Sequence, residues 1–310
     1  MKPLSFKSLK QMLDTLRTEE ECRVYLETLR WNGKPVCPHC GSISEHHYKL
    51  TQNGEFKGLY KCRDCKKRFT IRQGIMFEDS NLPLRTWFHA IYLVFISKKG
   101  ISSCQLAREL GVTQKTAWFM LQRIRHNMKD DDIDFDDTTQ VDETYIGGKN
   151  KNRHADKKVE NSQGRSVKDK TPILGMVERK GKIVARKIET TSVAHITPEV
   201  VKTVKNAMVY TDEWVGYKQV NKIYDHLFVK HNEGEYVNGR IYTNTIEGFW
   251  SILKRGIVGI YHFTSRKHIQ KYVDEFVFRY NTRNNGEHQR FNLFLQNTEH
   301  RLTYNELING

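Results

Sequence analysis

Three carboxylates, widely spaced along the chain, could together hold divalent cations for phosphate chemistry. Asp142 lies in the motif VDETYIGG, Asp212 in VYTDEWVGY and Glu247 in NTIEGFWSILKRGI. Such chemistry needs hard oxygen ligands fixed on rigid elements, and carboxylates supply them. The two aspartates close short β-branched runs, whereas the glutamate lies on a segment with helical periodicity. This layout predicts a two-metal nuclease or strand-transfer centre.

The residues beside the two aspartates leave the choice of ligand open. Glu143 follows the first aspartate and Glu213 follows the second. Because adjacent strand residues point to opposite faces, only one member of each pair can face the metals, and periodicity does not say which. The helix is less ambiguous, since Glu247 shares a polar side with Asn244 and Lys254, opposite an apolar arc.

Four of the six cysteines form two CxxC pairs with 21 residues between them. Each pair can place two thiolates on one side of a tetrahedral zinc ion, so the spacing predicts a structural zinc ribbon rather than a redox site. The predicted ligands are Cys37, Cys40, Cys62 and Cys65. The remaining cysteines, Cys22 and Cys104, are expected to pack as small apolar residues. The nearby histidines, expected at the surface, are His39, His46 and His47.

The chain is basic, with 51 Lys and Arg against 36 Asp and Glu in 310 residues, a formal net charge of +15. Such a balance suits a polyanionic partner, most commonly nucleic acid. The longest apolar stretch, 87–96, contains His89 and is too short to span a bilayer. The N-terminus has no apolar core typical of a signal peptide. An intracellular protein without membrane contact is expected, with cysteines reduced or metal-bound.

The segment ISSCQLARELGVTQKTAWFMLQRIRHNM predicts a helix-turn-helix. One helix ends near Leu110, Gly111 makes the turn, and Thr113 caps the second helix, whose leading polar residues would enter a DNA groove. Two helices that simply pack together are the alternative. The zinc ribbon and the charge favour DNA binding. The expected DNA contacts of this helix are Gln114, Lys115, Thr116 and Arg123.

The fold class predicted is α+β and multidomain, with an N-terminal helix plus zinc ribbon, a helix-turn-helix and a ribonuclease-H-like α/β catalytic domain. Three strand-like runs, a helix beginning at Pro198 behind the cap Thr197, and a fourth strand follow the order of a ribonuclease-H-like fold. Such a fold has a mixed five-stranded sheet flanked by helices. The N-terminal helix and ribbon are expected at 1–78 and the helix-turn-helix region at 79–129, followed by a solvated acidic linker at 130–137. The catalytic domain is expected at 138–286, with a flexible basic loop at 147–170. Residues 287–310 are expected to form a C-terminal tail.

The chain resembles insertion-sequence transposases of the IS1595 family, which have an ISXO2-like DDE domain. Long motifs in family order carry the resemblance: TEEECRVYLETLRWNGKPVCPHCGS, FTIRQGIMFEDSNLPLRTWFHAIYL, KKGISSCQLARELGVTQKTAWFMLQRIR, VDETYIGG and NTIEGFWSILKRGIVGIYHFTSRKHIQKYVDEFVFRYNTR. The resemblance implies that Asp142, Asp212 and Glu247 are the catalytic carboxylates, in preference to their glutamate neighbours. It also implies roles near the active site for Asn244 and Lys254.

A transposase of this family would bind double-stranded DNA at terminal inverted repeats and act on target DNA. Hydrolysis of a phosphodiester at the transposon end would use Mg²⁺ (or Mn²⁺), and the freed 3′-hydroxyl would then attack target DNA. A homodimer or higher oligomer on DNA and a cytoplasmic location at a prokaryotic nucleoid are expected. Basic residues expected along the DNA strand are Arg255, Arg266, Lys267, Lys271 and Arg279.

Three other functions remain open at this point. A DNA-binding regulator with an inactive catalytic fold would have a damaged set of acids, and this set looks intact. A ribonuclease or repair nuclease would cut without joining strands and leaves the two DNA-binding modules unexplained. A zinc-dependent scaffold leaves the polar face around Glu247 unexplained.

Overall fold

The computed structural model describes residues 4–130, 132–148, 150, 154–160, 162, 166–205, 207–212, 215–229, 237–238, 241–242 and 244–309. The chain forms two compact units, Met1–Met128 together with Asn284–Gly310, and Lys129–Arg283. The second unit is thus inserted in the sequence of the first. Within the described ranges, no helix is long and apolar enough to cross a membrane.

The first unit combines helices with a small antiparallel sheet of order β1-β2-β3. A capping box starts its second helix: Thr18 accepts from the N–H of Glu21, and the Glu21 carboxylate accepts from the N–H of Thr18. The elements are α1 Leu9–Thr15, α2 Glu19–Trp31, β1 Tyr48–Gln52, β2 Glu55–Lys61, β3 Arg68–Phe69, α3 Leu84–Ile96, α4 Ser103–Leu110, α5 Gln114–His126, α9 Glu287–Gln296 and α10 Tyr304–Asn309.

The helix boundaries predicted around Gly111 are confirmed. Helix α4 ends at Leu110, and Gly111 follows in the left-handed conformation with φ of +65°. Helix α5 begins at Gln114, and the side chain of Thr113 accepts from the N–H of Thr116. The cap gives a hydrogen-bond partner to a backbone N–H in the first turn of α5 that has none within the helix.

The C-terminal helices complete the core of the first unit. Phe291 on α9 is fully buried and contacts the rings of Phe6, Phe88 and Tyr92 edge-on. The Tyr25 hydroxyl donates to the Asn292 side chain at 2.6 Å. The segment from 287, predicted as a tail, therefore belongs to the core that residues 6–92 begin.

The second unit is built on a five-stranded sheet of order β6-β5-β4-β7-β8. Strands β4, β5 and β6 pair antiparallel, while β7 and β8 run parallel to β4. This mixed order and direction are those of a ribonuclease-H-like sheet, so the predicted fold class is confirmed. The elements are β4 Thr139–Ile146, β5 Thr171–Glu178, β6 Ile183–Lys187, α6 Val193–Thr203, β7 Val209–Asp212, β8 His226–Val229, β9 Val237–Asn238, β10 Ile241–Tyr242, α7 Asn244–Gly256 and α8 Ile269–Asn281.

Helices cover both faces of this sheet, and strand alternation assigns each residue to one face. Leu174 and Met176 of β5 pack in one cluster with Ile196 and Val200 of α6. Their neighbours Ile173 and Val177 pack in the other cluster. That second cluster includes the apolar arc of α7 and α8, whose members are Ile246, Phe249, Trp250, Leu253, Tyr272, Val273 and Phe276.

Two local predictions are corrected by the structure. Helix α6 starts at Val193 after Ser192, one turn before the predicted start, so Pro198 lies inside it. Burial of Ile196 in that extra turn offsets the hydrogen bond that proline removes. The predicted acidic linker is not fully solvated, because Phe135 is buried and its N–H donates to Thr203 O at 2.8 Å. Aspartates alternate with apolar residues here, so the acids stay outside while Phe135 and Ile133 join the core.

Replacing Phe291 by alanine in the full chain should destabilise the first unit by about 3–5 kcal/mol, the usual cost of a buried Phe-to-Ala change. Thermal unfolding followed by circular dichroism measures the effect. Leu293→Ala, a partly exposed position on the same helix, is the control and should cost less. Equal losses for the two variants would show that α9 does not belong to the core.

Candidate functional site

The four predicted zinc ligands come together in the first unit. The Sγ atoms of Cys37 and Cys65 are 3.7 Å apart, as are those of Cys40 and Cys62. All four sulfur atoms lie within 4.8 Å of one another. A tetrahedral zinc ion with Zn–S bonds of about 2.3 Å requires sulfur–sulfur distances of about 3.8 Å. The four-cysteine site therefore fits structural zinc.

Tight turns and aromatic packing build this site. Gly41, directly after the first CxxC pair, has φ of +72°, and its N–H donates to Cys37 O. Tyr60 and Phe69 stack at 5.4 Å behind the sulfurs, in a cluster with Cys37 and Cys62. These contacts between protein groups hold the turns that carry the cysteines in place.

One histidine beside the ribbon is not at the surface, as the sequence had suggested. His47 is buried; its Nδ1 accepts from the N–H of Arg63, and its Nε2 donates to Ser42 O. It thereby links the two CxxC loops without acting as a ligand. Of the two other cysteines, Cys22 is buried, which raises its pKa to about 12, whereas Cys104 is exposed rather than packed.

The first predicted carboxylate of the catalytic set lies in the middle of the central strand. Asp142 is the fourth residue of β4 rather than its last, because β4 continues as a hairpin with β5 through Ile146. It is partly buried and stands opposite Gly175 of β5. The carboxylate thus sits on a paired strand, where backbone motion is small.

Asp142 lies on the sheet face that α7 covers. The indole N–H of Trp250, on α7, donates to Asp142 Oδ2 at 2.8 Å. A Cβ atom at position 175 would come within 2.5 Å of the Trp250 ring, so only glycine leaves room for the indole over the sheet. One oxygen of the carboxylate is therefore held by a buried donor.

Strand β7, which ends at Asp212, lies beside the strand that carries Asp142. Strands β4 and β7 pair in parallel with Gln140 beside Tyr210. Continued two residues further along each strand, that register would set position 142 beside position 212. The side chain of Asp212 lies outside the described residues, as does the whole of Glu213.

Glu247 lies in the first turn of α7, whose start is fixed on the same face of β4. The Gln140 side chain accepts from the N–H of Ile246 at 3.2 Å, and its amide donates to Thr245 Oγ1 at 3.4 Å. Glu247 is exposed next to this anchor. The structure thus brings the start of α7 to the strand that carries Asp142.

Glu143 points to the opposite face of the sheet. It is buried, and its Oε2 accepts from the Tyr217 hydroxyl at 2.7 Å. Its strand partner Leu174 packs with α6. Glu143 is therefore separated by the sheet from the face that α7 covers, which leaves Asp142 as the residue of this pair that shares a face with α7.

The other predicted site residues divide into exposed and buried groups. Exposed residues of the second unit are Asn244, Lys254, Arg255, Arg266 and Lys267. Arg266 donates to Val167 O and to Lys170 O, and so fixes the end of the polar loop 147–170. In the first unit, Gln114 and Lys115 are exposed and Thr116 is partly buried at the start of α5. Contact of these side chains with DNA stays a prediction.

Two basic residues expected to contact DNA are enclosed by their own units instead: Arg123 is buried, and the side chain of Arg279 is 9% exposed. Arg123 donates to the carbonyls of Leu302, Met76 and Glu78 at 2.9–3.0 Å. Arg279 pairs with buried Glu275 at 2.7 Å. Both guanidinium groups are used inside their own units, so neither belongs to an exposed DNA-binding surface. The burial of Arg123 could not be inferred from sequence because the carbonyls that accept its hydrogen bonds belong to segments 45 to 179 residues away.

Two family models match the chain. One, described as an ISXO2-like transposase domain, matches residues 135–281, and the other, a transposase zinc-ribbon domain, matches residues 17–68. The chain carries both domains of an IS1595-family transposase. The predicted resemblance to this family is therefore confirmed.

The chain is also similar to one curated relative along most of its length. That relative is an uncharacterized protein in transposable element ISH50 of Halobacterium salinarum, 25% identical over 280 residues, which cover 86% of this chain and 92% of the relative.

Solved structures similar to this chain include two Mos1 complexes, each 12% identical. The Mos1 strand transfer complex has a TM-score of 0.26 and covers 70% of this chain and 78% of its own. The pre-cleavage Mos1 transpososome has a TM-score of 0.23 and covers 69% and 79%.

Replacing Cys62 by serine should abolish zinc binding and unfold the ribbon, because structural zinc sites supply much of the folding free energy of such small modules. Zinc content by elemental analysis of the full chain is the measurement, with Cys104→Ser as the matched control. Full zinc content in the Cys62 variant would contradict the assignment of this cysteine as a ligand.

Proposed function

We propose that this protein is a DNA transposase that cleaves a phosphodiester at each end of its element and joins the freed 3′ ends to target DNA. The observation that carries the proposal is the shared face of the sheet. Asp142 on β4 and the register position of Asp212 on β7 lie on the face covered by α7, whose first turn bears Glu247. Three carboxylates from three elements would then converge.

The donor set fits hard divalent cations, so Asp142, Asp212 and Glu247 would hold Mg²⁺ or Mn²⁺. Bound there, such ions supply a nucleophile at neutral pH and stabilise charge on the leaving oxygen. Exposed Lys254, two turns beyond Glu247, would bind a phosphate beside the scissile bond. Asn244, in the same polar face, would orient the strand.

The protein would recognise double-stranded DNA through its first unit. The exposed start of α5 presents Gln114 and Lys115, which suits entry into the major groove at the terminal inverted repeats. The zinc ribbon would add phosphate contacts. Because the reaction brings two transposon ends together, we expect at least a homodimer on DNA.

Glu247→Gln should lower strand joining by more than about 100-fold, because groups that merely support a metal ligand are already worth 10–100-fold. The measurement uses labelled duplex that carries the element's own terminal repeat, supercoiled target plasmid and Mg²⁺. Glu189→Gln, an exposed glutamate of the same unit, is the control and should retain activity.

Other outcomes of this assay would favour another function. Specific binding of the wild type without nicking or joining, in Mg²⁺ and in Mn²⁺, would indicate a DNA-binding regulator. Nicking by the wild type without joining would indicate a nuclease.

Trp250→Phe should raise the Mg²⁺ concentration needed for half-maximal cleavage by about 10–100-fold, the usual cost of losing a partner of a metal ligand. Phenylalanine keeps most of the ring but lacks the N–H that orients Asp142. The measurement is a metal titration of cleavage, with thermal unfolding run in parallel. A lower maximal rate with unchanged Mg²⁺ dependence would assign Trp250 a packing role alone.

A further inference from the structure

An exposed apolar tip follows helix α7. Helix α7 continues as a π-helix, Ile257–Tyr261, and the chain then turns at His262. Phe263 is 76% exposed and Val258 is 70% exposed, the highest fractions among large apolar residues in the described part of the chain. We call residues 258–263 the tip.

The tip is held rigidly despite its exposure. The Tyr261 hydroxyl donates to both carboxylate oxygens of Glu275, at 2.9 and 2.8 Å, and its ring contacts Tyr272 at 4.8 Å. Glu275 is itself paired with Arg279 inside the unit. These contacts order the backbone that precedes Phe263 before any partner binds, which lowers the entropy cost of a contact made there.

The backbone of the tip is strained. His262 has φ of +58° and ψ of −46°, and the N–H of Phe263 donates to Tyr261 O at 2.6 Å, which defines a γ-turn of the rare, strained kind. The His262 ring donates to Val258 O at 3.0 Å across the turn. Strain of this type and π-helical segments both concentrate at functional sites.

The tip would lie along a DNA strand bound at the carboxylates if that strand followed α7. At about 100° per residue, positions 247 and 254 share one side of α7, and the π-helix that carries Val258 continues from the end of α7; all three residues are exposed. Val258 is 11 residues beyond Glu247, or about 16 Å along the helix. With bases about 3.4 Å apart, this spans roughly five nucleotides.

The charges around the tip favour nucleic acid over another protein surface. Exposed cations stand on both sides of it in sequence: Lys254 and Arg255 before it, Arg266 and Lys267 after it. A second copy of this chain would set like charges against each other, whereas phosphates would neutralise them. An exposed ring among cations is the arrangement by which proteins stack on bases.

We propose that the tip contacts DNA roughly five nucleotides from the bond that is cut, and that Phe263 stacks there on an unpaired or unstacked base. This inference rests on the proposed function for the position of the strand. The base would be one that leaves the duplex stack when DNA bends around the protein.

The test compares binding to a paired duplex with binding to the same duplex carrying a short mismatched bubble, using the full-length protein and fluorescence anisotropy. A base already unstacked spares the cost of opening the duplex, so the wild type should prefer the bubble. Phe263→Ala should lose about 5–150-fold in affinity for the bubble, whereas Phe263→Trp should retain it. The salt dependence of binding should not change, because no charge is removed.

Val201→Ala, an exposed apolar residue on α6 at the other sheet face, is the matched control. Equal affinities of Phe263→Ala and wild type for the bubble, or no preference of the wild type for it, would overturn the proposal. A change in molar mass of the DNA-free protein with Phe263→Ala would also overturn it, in favour of self-association. If the wild-type protein prefers the bubble but joins no DNA, the stacking proposal would stand and the transposase function would be refuted.

Discussion

The docking of α7 on the central strand is the contact on which the candidate active site depends. Two polar side chains of β4 form this contact through hydrogen bonds. Gln140 accepts one from the N–H of Ile246, and Asp142 accepts one from the indole N–H of Trp250. Around them, apolar residues of α7 fill the face of the sheet. A glycine in β5 provides the space for the indole. The helix, the strand acid and the sheet core are thus positioned by one interface.

This interface links the stability of the second unit to the position of the carboxylate that would bind metal. A buried indole N–H needs a partner, and here the partner is a carboxylate that a metal would also use. The carboxylate can serve both because each oxygen accepts separately. Since Trp250 is 4% exposed, a change that moves the helix would also move the acceptor. Residues distant from the three carboxylates can therefore alter the candidate active site.

Much of this architecture could be predicted from sequence because local signals and global fold agree. The CxxC spacing, the caps at Thr18 and Thr113, and the polar side of α7 each follow from short-range rules. Burial of individual charged residues did not follow from these rules. Arg123 and Arg279 look like surface cations in sequence. In the fold, Arg123 donates hydrogen bonds to backbone carbonyls, and Arg279 forms an ion pair with Glu275. The partner of Glu143 is likewise a tyrosine 74 residues away.

The order of the chain has a consequence for how the protein is made. The first unit starts within residues 1–128 but needs Phe291, Asn292 and Leu302 to close its core and to satisfy Tyr25 and Arg123. Those residues are synthesised only after the entire inserted unit of residues 129–283. During translation the sheet of the second unit can therefore fold before the core of the first unit is complete. A growing chain would complete the unit with the candidate active site before it completes the unit with the proposed DNA-binding helices.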